Sequence, residues 1–168
     1  LDTVEYERRD CVIKNPDGSV VFETRGAEIP KGWSQLASDI AISKYFRRAG
    51  LFGDPSKGET SARQLVHRIA HSIREAGELR GYFVDADEAT TFEAELSWML
   101  IHQYGAFNSP VWFNCGLFQR YNIASSGGNW AWDEARGAVA ETANAYERPQ
   151  CSACFIQSVQ DDLMGIFE

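Results

Sequence analysis

Pro149-Gln150-Cys151-Ser152-Ala153-Cys154-Phe155-Ile156-Gln157-Ser158-Val159-Gln160-Asp161-Asp162-Leu163 is the stretch on which the fold turns. Ala153 to Val159 is a short apolar run rich in strand formers, with a proline before it and a carboxylate pair after it. That pattern predicts a buried strand followed by a helix start. A strand buried on both faces needs sheet neighbours, and no run of comparable quality lies near it, so most of the sheet is expected downstream of Glu168. Leu1 in place of a methionine likewise points to an excised piece.

Working outward from that run, Asp133 to Ala145 is predicted as a weak alanine-rich helix. Ser125 to Trp132 is predicted as a mobile loop, either a variable insertion or a lid. Ala106 to Leu117 is apolar and aromatic, but Pro110 and Gly116 make it irregular, so Asn108, Ser109 and Asn114 are expected to be half-buried polar groups in need of partners. A helix capped by Asp85 or Asp87 and running to about Tyr104 is apolar on nearly every face in Leu96-Ser97-Trp98-Met99-Leu100-Ile101, which predicts the central helix of a bundle. Before it, Thr60 caps a helix with Leu65, Val66, Ile69 and Ile73 at helical spacing up to Gly77. Ser34 caps another, whose apolar face is Leu36, Ile40, Ala41, Tyr45 and Phe46, ending at Gly50. Lys44, Arg47 and Arg48 in its last turn suit the negative end of the helix dipole as a solvated terminus. Asn15-Pro16-Asp17-Gly18 between two strand-prone runs predicts a small surface hairpin over Asp10 to Thr24.

The chain has 168 residues and a formal net charge of −8. That length can hold one core, and the charge leaves no basic stripe along which a nucleic-acid polymer could be tracked. No apolar stretch approaches a membrane span and the N-terminus lacks a secretory build, so a cytoplasmic location is expected. Four cysteines are too few and too unevenly placed for a disulfide scaffold, which turns Cys151-x-x-Cys154 toward redox or metal work.

A zinc half-site would need a second Cys-x-x-Cys or a Cys-x-x-His, and neither Cys11 nor Cys115 has such a neighbour. His67 and His71 stand four apart on one helix, but no zinc-protease glutamate lies between them and no third ligand is evident, so no metal ligands are assigned. Side chains three apart on a strand face opposite ways. Cys154 is then either a small buried hydrophobe or a redox thiol whose partner lies elsewhere.

The run Pro149-Gln150-x-x-Ala153-Cys154-Phe155-Ile156-Gln157-Ser158-Val159-x-Asp161-Asp162-Leu163 resembles the first barrel strand and following helix of the adenosylcobalamin-dependent (class II) ribonucleotide reductases. Other segments resemble the same family's N-terminal region in order: Trp33-Ser34-Gln35-x-Ala37-x-Asp39-Ile40 with Lys44-Tyr45-Phe46-Arg47, Glu59-Thr60-Ser61-x-Arg63-Gln64 with Val66-His67-Arg68, Gly81-Tyr82-Phe83, and Asn108-Ser109-Pro110-x-Trp112-Phe113-Asn114-x-Gly116-Leu117. The resemblance implies a mainly α N-terminal domain with a small β-hairpin, followed by the first strand and helix start of a ten-stranded α/β barrel. The divisions are a hairpin segment at 1–32, a helical domain at 33–148 and the incomplete barrel at 149–168.

The resemblance further implies reduction of ribonucleoside diphosphates to 2′-deoxyribonucleotides by thiyl-radical chemistry, with adenosylcobalamin bound mainly by residues outside this chain. Cys154 matches one of two reducing thiols that end as a disulfide. Ser109 matches a substrate-phosphate contact, and Ala153 the point where the strand backbone passes the ribose. Asp161, Asp162 and Leu163 match the binding site of an allosteric deoxynucleotide effector. Implied partners are a thioredoxin-like reductant, the remainder of the reductase chain and a second copy in a homodimer. The family's Asn-x-Cys-x-Glu radical loop is not in these residues, so the chain by itself is expected to be inactive. Cys151 is unexpected for the family and is read as an incidental thiol. A rival expectation is a non-catalytic helical docking module, or a split-gene fragment, with a redox-sensitive thiol.

Overall fold

A computed structural model of the chain describes residues 1–125, 127–156 and 158–167. The Asn-Pro-Asp-Gly turn closes as its residues dictate. Gly18 takes φ +87°, Asn15 and Ser19 close the ring backbone to backbone at 2.9 Å, and Asp17 Oδ1 accepts from the Ser19 amide at 2.9 Å. The turn joins β1 (Tyr6–Lys14) to β2 (Val20–Pro30) in an antiparallel pair running from Tyr6 opposite Pro30 to Lys14 opposite Val20. The hairpin is therefore longer than Asp10 to Thr24 and not merely superficial. Its tip, with Val20 and Val21, is exposed, while Cys11, Ala27 and Ile29 near its base are buried in the core.

Ser34 caps α1 (Gln35–Ile40), accepting from the Ala37 amide at 3.1 Å. The helix does not reach Gly50. It widens into a π-helical turn, Ala41–Tyr45, and leaves at Phe46 with extended backbone. That shift changes which side is apolar: Ala41, Ile42 and Phe46 are buried, whereas Leu36 and Ile40 are exposed.

Helix α2 (Ala62–Leu79) starts one residue later than expected, because Ser61 and Gln64 form a reciprocal capping box. It runs past Gly77, which lies buried beneath the Phe83 ring. Asp85 caps α3 (Ala86–Ile101) through the Glu88 amide at 2.8 Å. The central helix is α2, not α3: Ala62, Val66, Ile69 and Ala70 are all 0% exposed. On α3, Ser97, Leu100 and Ile101 of the apolar run are buried and Leu96 packs partly buried against the core, while Trp98 and Met99 remain about half exposed. A helix packed along one side can bury only one stripe, however apolar its circumference. The Trp33 indole donates to the Ile101 carbonyl at 2.7 Å, fastening the entry of α1 to the end of α3.

The irregular segment contains two short helices, α4 (Ser109–Asn114) and α5 (Leu117–Tyr121), broken at Gly116. Gly116 takes φ +78°, and a β-carbon there would collide with the Arg68 carbonyl. Where the alanine-rich helix was expected there is a hairpin, β3 (Trp130–Asp133) paired antiparallel with β4 (Ala138–Glu141). Trp130, Trp132 and Val139 favour strands, and Asp133 Oδ1 with Gly137 at φ +59° makes the turn. These specific signals outweigh the helix preference of the five alanines in Asp133 to Ala145.

The described residues of Ala153 to Val159 form no strand. Phe155, Ile156 and Val159 are exposed, and Gln157 lies outside the described residues. Among the described residues both sheets are two-stranded hairpins, and this segment pairs with neither. The helix start after the aspartates does form, as α6 (Leu163–Phe167), with Asp162 Oδ1 accepting from the Gly165 amide at 2.9 Å. No helix among the described residues is long and apolar enough to cross a membrane.

Candidate functional site

Ser109 is the first residue of α4, half-buried, and Asn108 before it caps the helix through the Val111 amide at 3.4 Å. Pro110 sits in the first turn, where its missing N–H costs nothing and its fixed φ favours the helix. The Ser109 hydroxyl lies 3.2 Å from the Tyr45 hydroxyl, and the Tyr45 ring packs against Trp112 and Phe113 at 5.8 and 5.4 Å. The other end of α4 is fixed more firmly. Arg68, 1% exposed on α2, donates to the Trp112 carbonyl at 3.0 Å and to the Cys115 carbonyl at 2.5 Å. These carbonyls belong to the last turn of α4, which has no helical partner for them.

Arg68 is neutralised by Glu59, with Nε 2.9 Å from Oε1 and both side chains fully buried. Glu59 in turn accepts from the Tyr121 hydroxyl at 2.8 Å and from the Arg47 amide at 2.8 Å. Burial and the adjoining carboxylate push the Tyr121 phenol well above its usual range, so it stays a donor. One buried carboxylate thus ties α2, α5 and the end of the π-helical segment around α4. The sequence alone assigned no role to Glu59, Arg68, Tyr121 or Tyr45. A signal existed for Arg68: it stands three after Leu65 and four before Ser72, a cation in phase with the buried stripe of α2.

The thiol of Cys115, at the end of α4, neighbours the thiol of Cys151. Both pack against the main core. The neighbouring Cys151 thiol and burial push the Cys115 thiol up, and the Cys115 thiol beside it lowers the Cys151 thiol to about 7. Cys151 is partly buried against the core at the start of the last segment. Ala153 and Cys154, two and three residues farther along, are exposed, and the Cys154 thiol is free. Asp161, Asp162 and Leu163 are also exposed. The structure therefore places Cys151 beside Cys115 at the end of the helix carrying Ser109, but it does not gather the two substrate-side residues Ala153 and Cys154 or the effector-side trio into a closed pocket.

His67 and His71 face Glu93 of α3, with His67 Nδ1 3.1 Å and His71 Nδ1 3.0 Å from its carboxylate oxygens. Arginines already occupy this cluster: Arg74 Nε lies 2.7 Å from Glu93 Oε2, and Arg120 donates to His67 Nε2 at 3.0 Å. That bond puts the His67 proton on Nδ1, aimed at Glu93. Burial and then Arg120 hold the His67 imidazole below its usual pKa. The arrangement is an ion-pair network between α2 and α3, built to hold helices together.

Residues 7–103 match the family model described as class II vitamin B12-dependent ribonucleotide reductase. Over 98% of its length the chain is 42% identical to a vitamin B12-dependent ribonucleotide reductase of Rhodopirellula baltica, covering 16% of that protein. A Streptomyces coelicolor reductase of the same name is 42% identical over 99% of the chain, and one from Bradyrhizobium diazoefficiens is 36% identical over 96%. The chain belongs to the class II vitamin B12-dependent ribonucleotide reductases. It spans 14 to 16% of the length of these reductases.

Membership in a B12-dependent reductase family implies adenosylcobalamin as cofactor. The residues present do not fit it. Hollows on the described surface measure about 250 to 460 Å³ and lie open, whereas even drug-sized ligands take about 300–1,000 Å³ and a corrin with its adenosyl group is far larger. No step of the chemistry is therefore assigned to these residues through the cofactor.

Proposed function

We propose that this chain forms the substrate-phosphate shelf and the first reducing-thiol strand of an enzyme that converts ribonucleoside diphosphates to 2′-deoxyribonucleotides in the cytoplasm. The observation that carries the reading is the contrast within the last segment. Cys151 is partly buried against the core, while Cys154 is a free, exposed thiol on an apolar run that has no sheet partner among the described residues. Such a run is ready to be covered on both faces, leaving its thiol at a substrate.

In this reading radical chemistry begins at a cysteine outside the chain, and the 2′-hydroxyl leaves as water. Cys154 and a second thiol, also outside the chain, give up two electrons and two protons and close as a disulfide, which a thioredoxin-like dithiol reopens. Ser109 contacts the substrate phosphates, where a hydroxyl can donate a charge-assisted hydrogen bond without a full counter-charge. Ala153, with its single methyl group, leaves room for the ribose. Asp161, Asp162 and Leu163 contribute to a deoxynucleotide effector site, for which a homodimer is the natural setting.

The test is thiol accounting. Full-length reductase, prereduced and freed of external reductant, is allowed to form product, then alkylated and digested. Cys154 is expected to lose its alkylation in proportion to product formed. Stoichiometric product with Cys154 still fully alkylated would remove it from the reaction.

A further inference from the structure

Tyr45 occupies an unusual place in the chain. It is the last residue of the π-helical turn Ala41–Tyr45, and Phe46 after it takes extended backbone and is buried. A π-turn holds an extra residue per turn, so it rotates the side chains at its end relative to an uninterrupted helix, and such turns recur at functional sites. Here the rotation delivers the Tyr45 ring onto Trp112 and Phe113 of α4 and its hydroxyl to within 3.2 Å of Ser109 Oγ. The ring is thus fixed on two sides by aromatic contacts, and a fixed phenol makes a fixed hydrogen bond.

A serine hydroxyl has one proton and two lone pairs, and it turns to suit its surroundings. Left alone beside α4, Ser109 could point its proton anywhere, including back to the helix or to water. The phenol is the more acidic of the two hydroxyls and the better donor. When it donates to Ser109 Oγ it fills a serine lone pair and leaves the serine proton free to point at an acceptor. A chain running Tyr45 O–H to Ser109 O–H to an anionic oxygen polarises in one direction, each bond strengthening the next.

We propose that Tyr45 is a positioning residue that orients the Ser109 hydroxyl as a donor to the substrate phosphates. The inference rests on the reading of Ser109 given above. Tyr45 need not touch the substrate, because it acts through Ser109.

The experiment is steady-state kinetics of the full-length reductase on a ribonucleoside diphosphate for wild type, Tyr45→Phe, Ser109→Ala and the double variant. Phenylalanine keeps the ring packing and removes only the hydroxyl. Tyr45→Phe is expected to raise KM about three- to tenfold with kcat within about twofold. Combined with Ser109→Ala it should raise KM no further than Ser109→Ala does, since the group it orients is gone. A wild-type KM for Tyr45→Phe beside a raised KM for Ser109→Ala would overturn the positioning role alone. A full additional penalty in the double variant would also overturn it, by showing that Tyr45 acts independently. If Ser109→Ala itself leaves KM unchanged, the phosphate reading of Ser109 falls, and the Tyr45 role falls with it.

Discussion

Cys151 and Cys115 show how little of a residue's chemistry is set by its type. The two thiols are neighbours, and each acts on the other: Cys151 is lowered to about 7 and Cys115 is pushed up. Because the thiolate is the nucleophile, alkylation of Cys151 should rise through neutral pH with a midpoint near 7, while Cys115 stays unreactive. Cys115→Ala removes the stabilising neighbour, so the Cys151 midpoint should move upward. Site-resolved mass spectrometry over a pH series measures both, and an unmoved midpoint would mean that the neighbouring thiol does not set it. From the sequence, Cys151 was only a thiol out of place, since its partner is distant along the chain. Ser109 was recognisable from its motif, but the Tyr45 hydroxyl that meets it comes from a π-helical turn that local propensity does not announce.

Among elements, α4 is held at its end by Arg68, whose charge is balanced by Glu59 in a fully buried pair. Arg68→Met should destabilise the fold by about 3–5 kcal/mol, because it strands a buried carboxylate. Adding Glu59→Gln should recover part of that loss, as neutralising both partners removes the uncompensated charge. Urea unfolding of the two variants distinguishes this pair from a dispensable one, for which the single change would cost under about 1 kcal/mol. The caps at Ser34 and Asp85 and the Asn-Pro-Asp-Gly turn were legible because each is settled within four residues of chain. The Arg68–Glu59 pair was not, because its value comes from bringing α2, α4 and α5 together. Residues 133–145 were misread for a related reason: alanine content argued for helix, while the pairing of Trp132 opposite Val139 decided for a hairpin.

For the whole molecule, the last segment leaves Phe155, Ile156, Val159, Leu163, Met164 and Phe167 exposed in the chain as it stands. Exposed apolar side chains of that kind, on a run without strand partners and on the short helix α6 after it, favour self-association. Sedimentation of the isolated chain should show concentration-dependent association, and a chain cut after Arg148 should show less. A monomer in both cases would favour a self-standing module. The family was legible because its motifs are strings of residues in order, whereas the strand expected over Ala153 to Val159 is not formed by the described residues of that run.

The central claim is that Cys154 supplies reducing equivalents. Its most direct test is Cys154→Ser in the full-length reductase, assayed for multiple turnover with thioredoxin or a small dithiol, beside nucleotide binding. Turnover should be abolished with binding nearly intact; normal multiple turnover would contradict the account.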